Sequence, residues 1–122
     1  MRGRQVTSIK AWQLADELAV AAYQMTREFP KDELYGMTSQ MRRAAVSVPA
    51  NIAEGAKRTS QKEYLQFLSI ARGSLAELRY YVHLAKRLEY FDSQKHEQLD
   101  GMCDEVGRVM YGLMRSIHEA IS

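Results

Sequence analysis

The chain has one cysteine, Cys103, among its 122 residues, so no disulfide can form within it and nothing in it calls for an oxidising compartment. The neighbours of Cys103, Met102 and Asp104, suit a buried structural thiol. Proline is confined to Pro30 and Pro49, and strict alternation of apolar and polar residues is missing, which leaves strands without support. No apolar run reaches the roughly 18 residues needed to cross a bilayer. The opening Met1-Arg2-Gly3-Arg4-Gln5 lacks the apolar centre of a signal peptide, so the expectation is a bacterial-type cytoplasmic protein without membrane contact.

Catalytic and metal-binding signatures are missing as well. Di-iron bundles use Glu-x-x-His pairs to set a carboxylate and an imidazole on one helix face. The residues three before His83, His96 and His118 are Tyr80, Ser93 and Arg115. There is no His-Glu-x-x-His, Cys-x-x-Cys, phosphate-binding glycine loop or nucleophile elbow. Cys103 paired with His96 or His118 would make a nucleophile and base, but nothing in the sequence brings them together. A lone helical histidine more often packs or meets solvent than binds a ligand. A non-enzymatic chain with no cofactor and no metal is expected.

What is present is helical. Hydrophobic residues at 46% and charged residues at 26% place the chain well inside the globular range and away from disorder. Its length suits a single domain over residues 1–122 with a short N-terminal arm, 1–8. The first segment, about Ser8 to Glu28, sets Trp12, Ala15, Ala19, Ala22, Thr26 and Phe29 along one seam before Pro30 stops it. A second starts near Asp32 and carries Leu34, Met37, Met41, Ala44, Val48, Ile52 and Gly55 in register. The third opens on a Ser60-x-x-Glu63 capping box and continues through Tyr64, Leu68, Ala71, Leu75, Leu78, Val82 and Ala85. The fourth aligns Leu99, Met102, Val106, Met110, Leu113, Ile117 and Ala120. Short connections make successive helices antiparallel, and the pattern predicts an all-α, up-down-up-down four-helix bundle.

Two features exceed what an isolated bundle requires. In the first helix a second apolar line, Leu14, Leu18, Ala21 and Met25, lies about 90° around the axis from the first and suggests a subunit interface. In the second, a polar stripe of Arg43, Ser47, Asn51 and Glu54 borders a further face of Val46, Pro49, Ala50 and Ala53, as though this helix is covered by its own bundle and by a neighbour. Arg43, Ser47, Asn51, Glu54, Ser74 and Glu77 are expected to form a polar cluster between helices two and three, with any buried charge in it paired. Pro49 should kink the second helix rather than break it. Gly73, inside the third, suggests a close helix approach.

Net charge is only +2, but its distribution is uneven. Arg2, Arg4 and Lys10 open the chain without an acid, the middle is basic, and Asp92 to Ser122 holds six acids against three bases. Such a tilt suits nucleic acid, although it is commonly just a solvated face.

The run Gln40-Met41-Arg42-Arg43-Ala44-Ala45-Val46-Ser47-Val48-Pro49-Ala50-Asn51-Ile52-Ala53-Glu54-Gly55 resembles the signature of the four-helix bundle proteins called 23S ribosomal RNA intervening-sequence proteins. Trp12-Gln13-Leu14-Ala15, Phe29-Pro30, the stretch from Phe67 to Leu78, and Leu88-Glu89-Tyr90 are similar to its other landmarks, in order. The resemblance implies a left-handed bundle assembling as a ring-shaped homopentamer. It also implies kinship with the accessory protein of diversity-generating retroelements, a basic pentamer thought to contact nucleic acid, from which this near-neutral chain departs. Most members have no established activity. Two readings stand side by side: an oligomer that binds RNA or a nucleic-acid-handling partner through Arg42, Lys57, Arg58 and Lys62, aided by the Arg2, Arg4 and Lys10 arm, or a protein-binding scaffold with no nucleic-acid role. An enzyme using Arg43, Glu54 and Glu77 in a polar pocket is the remaining alternative.

Overall fold

The computed structural model describes residues 5–121; the arm cations Arg2 and Arg4 lie outside them. Four α-helices carry the fold: α1 (Lys10–Met25), α2 (Met37–Ala56), α3 (Gln61–Arg87) and α4 (Ser93–Ile121), with single 3-10 turns at Val6–Ser8 and Lys31–Glu33. No strand occurs among the described residues. The α1 helix packs on α2 and α4, and α3 packs on the same two helices, which closes a square in cross-section. Contacts between neighbours pair late residues with early ones. Thr26, just past α1, receives Arg42 of early α2; Gly55 of late α2 abuts Tyr64 of early α3; Glu28 meets Lys95 of early α4. Successive helices therefore run antiparallel.

The sequence seams become the core. All seven α3 seam residues are buried, as are Met37, Met41, Ala44, Val48, Ile52 and Gly55 of α2. Thr26 is buried because its hydroxyl is satisfied, donating to the Ala22 carbonyl at 2.7 Å and accepting from Arg42 Nε at 2.9 Å. Burial in α4 ends at Ile117, and Ala120 is exposed. The second apolar line of α1 needs no neighbour to cover most of it. Leu18 and Ala21 are buried within the single chain, while Leu14 and Met25 are half-buried and packed on the core.

Local chemistry sets the helix ends. Ser60 Oγ accepts from the Glu63 N–H at 3.2 Å, as the capping box requires. Beyond α3, the Tyr90 N–H reaches the Ala85 carbonyl at 2.8 Å and the Glu89 N–H the Lys86 carbonyl at 2.9 Å, a Schellman closure that holds Glu89 at φ 64°. The second helix begins later than its pattern suggests, because Leu34-Tyr35-Gly36 forms a turn and the Glu33 carboxylate caps the first turn of α2. Glu33 Oε1 accepts from the Met37 N–H at 3.1 Å, and its Oε2 accepts from the Tyr90 hydroxyl at 2.8 Å. One side chain thus ties the start of α2 to the α3–α4 turn, where Phe29 packs against Tyr90 and Phe91. The Met37 N–H, then the Tyr90 hydroxyl, hold the Glu33 carboxyl below its ordinary value. This stabilisation is present above the unfolded-state pKa and is lost as pH falls through the depressed folded-state value.

Pro49 is buried inside an unbroken α2. Gly73 is exposed, and a Cβ there would meet nothing within 4 Å, so it marks no close approach. The close approach is at Gly55, where a Cβ would lie 2.8 Å from Phe67 Cβ and 3.2 Å from the Tyr64 carbonyl oxygen. Gly55→Ala is expected to destabilise the fold by about 1–3 kcal/mol through overpacking. Gly73→Ala should stabilise it by up to about 1 kcal/mol through helix propensity. Chemical denaturation of both variants reads the contrast.

Candidate interaction surface

The six residues expected to form one polar cluster separate into two groups. Ser47 and Ser74 join α2 to α3 through hydroxyls 2.7 Å apart, and Asn51 Nδ2 donates to the Ser47 carbonyl at 2.8 Å and to its hydroxyl at 3.0 Å. All three are half-buried. Arg43, Glu54 and Glu77 are exposed instead. Glu54 pairs with Arg58 at 3.6 Å one turn on, and Arg43 and Glu77 make no ion pair among the described residues. These three charges stand in solvent, so none requires a buried partner.

The basic residues do not share one patch either. Lys57, Arg58 and Lys62 gather at the α2–α3 turn, the end of the bundle where α1 begins with Lys10. Arg42 lies roughly 22 Å away along α2 at 1.5 Å per residue. Arg42 is also engaged internally, bonded to Thr26 and stacked over Tyr23 at 4.7 Å. Arg58 lies over the Phe67 ring at 4.7 Å and between Glu54 and Glu63. Lys57 and Lys62 are exposed and make no ion pair among the described residues.

Along the outer side of α1 and α2, by contrast, apolar groups lie open. Val20 and Tyr23 of α1 sit beside Val46 of α2, each at least 43% exposed. Leu34 and Tyr35 extend this face past the start of α2, with Tyr35 92% exposed. Ala50 is exposed farther down α2. Of the outer α2 face that the sequence suggests, Val46, Pro49, Ala50 and Ala53, the structure exposes Val46 and Ala50, half-buries Ala53 and buries Pro49. Val20 and Tyr23 give no such signal because they fall outside both apolar lines of α1, and Leu34 reads from spacing as part of the α2 seam.

A sequence profile of the 23S rRNA-intervening sequence protein family matches residues 7–112. The chain belongs to that family. Among solved structures it is similar to a protein of unknown function from the S23 ribosomal protein family of Bacteroides thetaiotaomicron, with a TM-score of 0.77 and 22% identity over 85% of this chain and 97% of that one. At that identity the likeness establishes the fold alone. No curated protein matches the chain.

Within this family member, the single cysteine is enclosed in the core. Cys103 is buried, and burial, opposed by the Arg79 charge and reinforced by Asp100, pushes its thiol up to about 12. His83 and His118 are exposed, and His96 is half-buried. Among the described residues no group of three or more His, Cys, Asp or Glu side chains could hold a metal ion, and no helix is long and apolar enough to cross a membrane. At neutral pH the native thiol should resist an alkylating reagent and react only on unfolding, since the thiolate is the reactive form. Mass spectrometry after timed iodoacetamide treatment, with and without denaturant, measures this.

Proposed function

We propose that this chain is a non-enzymatic, self-associating bundle that works in the cytoplasm, with α1 and α2 at its subunit interface and its basic end offered to RNA or a ribonucleoprotein partner. The observation that carries the reading is the open apolar face of Val20, Tyr23 and Val46. Extended apolar surface of this kind marks an interaction site. The family resemblance adds a ring-shaped homopentamer as the expected assembly, in a left-handed bundle. At the other end, Lys57 and Lys62 are exposed cations at the end of the bundle where α1 begins with Lys10, and several copies in one ring would repeat this weak patch. Phosphate contact through such side chains tolerates many sequences and weakens with salt.

A second reading, a protein-binding scaffold without a nucleic-acid role, is favoured by Arg42 and Arg58. Both are already held by groups of their own chain.

Native mass and single-stranded RNA binding at low and moderate salt, measured on one purified sample, separate the readings. The RNA reading expects an oligomer near five subunits whose RNA affinity falls steeply with salt. It also expects Lys57→Glu with Lys62→Glu to weaken binding while leaving the mass unchanged. An oligomer indifferent to RNA supports the scaffold, and a monomer overturns the self-association on which both rest.

A further inference from the structure

The proposed self-association leaves open which surface of a second copy covers the α1–α2 face, and charge together with geometry selects one. The α1–α2 face is rimmed by Arg27 and Arg43, both exposed and neither in an ion pair among the described residues. Around the corner of α1 runs a groove between α1 and α4 with an apolar floor that includes Leu14 and Met102. Its rim is acidic: Glu17, Glu97 and Glu105 line it, are exposed, and likewise make no ion pair among the described residues. One face is therefore apolar with unpaired cations, and the adjacent one is apolar with unpaired anions.

We infer that the two faces bind each other head to tail, so that the α1–α2 face of one copy seats on the α1–α4 groove of the next. The occupant of the open face is a second copy of this chain. This deepens the self-association reading and rests on it.

Two geometric facts support the pairing. First, α1 contacts both α2 and α4, so the two faces share α1 as an edge and are adjacent rather than opposite. A heterologous contact between adjacent faces turns each copy relative to the last, the condition for a closed ring, whereas opposite faces would build an open filament. Second, Lys95 reaches Glu28 at 3.0 Å, which sets Glu97 of α4 level with Arg27 of α1. Rotation about a ring axis parallel to the helices preserves height, so Arg27 of one copy arrives opposite Glu97 of the next. The like charges on each rim also disfavour a face-to-face dimer of either surface with itself.

Charge reversal tests the pairing directly. All four residues are exposed, and far-UV circular dichroism confirms that each variant remains helical. Arg27→Glu with Arg43→Glu is expected to reduce the wild-type oligomer to monomer on native mass spectrometry, and Glu97→Arg with Glu105→Arg to do the same. Combining all four substitutions in one chain swaps the signs on both faces and should restore the wild-type mass. A wild-type oligomer unaffected by either reversed pair, or a fourfold variant that stays monomeric, overturns the face pairing while leaving self-association standing. A monomeric wild type overturns self-association itself, and the pairing with it.

Discussion

A helix in a bundle can turn only part of its circumference toward its own core, and α2 carries apolar or small residues beyond that part. Its inward stripe, Met41, Ala44, Val48 and Ile52, is buried, and the side facing α3 is occupied by the Ser47, Asn51 and Ser74 hydrogen bonds. What remains outward includes Val46 and Ala50, set between the exposed charges of Arg43 and Glu54. Small side chains there leave the backbone close to the surface and the Tyr23 ring flanking it, a shape suited to packing against protein. The open apolar face arises from this mismatch between the apolar arc of α2 and the part a single bundle can cover.

The rest of the molecule holds that surface in place. At one end Glu33 joins the first turn of α2 to Tyr90, so the α1–α2 connection bearing Leu34 and Tyr35 is anchored to the α3–α4 turn. Arg42 adds a second tie by spanning to Thr26 and covering Tyr23. At the other end Gly55 lets α2 and α3 approach where any side chain would collide with Tyr64 and Phe67. The charged contacts on the surface are mostly exposed pairs, such as Arg108 with Asp104 and Arg115 with Glu119. Pairs of this kind contribute on the order of 0–1 kcal/mol each, so the buried seams and the fixed helix ends define the fold.

Helix number, order and core seams are legible in the sequence because each depends on spacing along one helix. The α3 seam is buried as its spacing implies, and the Ser60 cap forms as well. Spacing misleads where the answer depends on a side chain from elsewhere in the chain. The delayed start of α2 depends on Glu33 folding back onto Met37. The wide apolar arc of α1 is largely absorbed by its own bundle, because α1 touches two neighbours. Arg42 and Arg58 read as available for phosphate, but their partners Thr26, Tyr23, Phe67 and Glu63 come from other elements. Gly73 and Gly55 look alike in sequence, yet only Gly55 faces another helix.

Coverage of the α1–α2 face by another copy in solution can be read by tyrosine footprinting. Hydroxyl-radical labelling at low and high protein concentration would compare Tyr23 and Tyr35 with Tyr80, which is 58% exposed on α3. If a second copy covers this face, Tyr23 and Tyr35 lose reactivity as concentration rises while Tyr80 does not. Tyr35 remaining the most reactive tyrosine at every concentration, as its 92% exposure in the single chain implies, would contradict it.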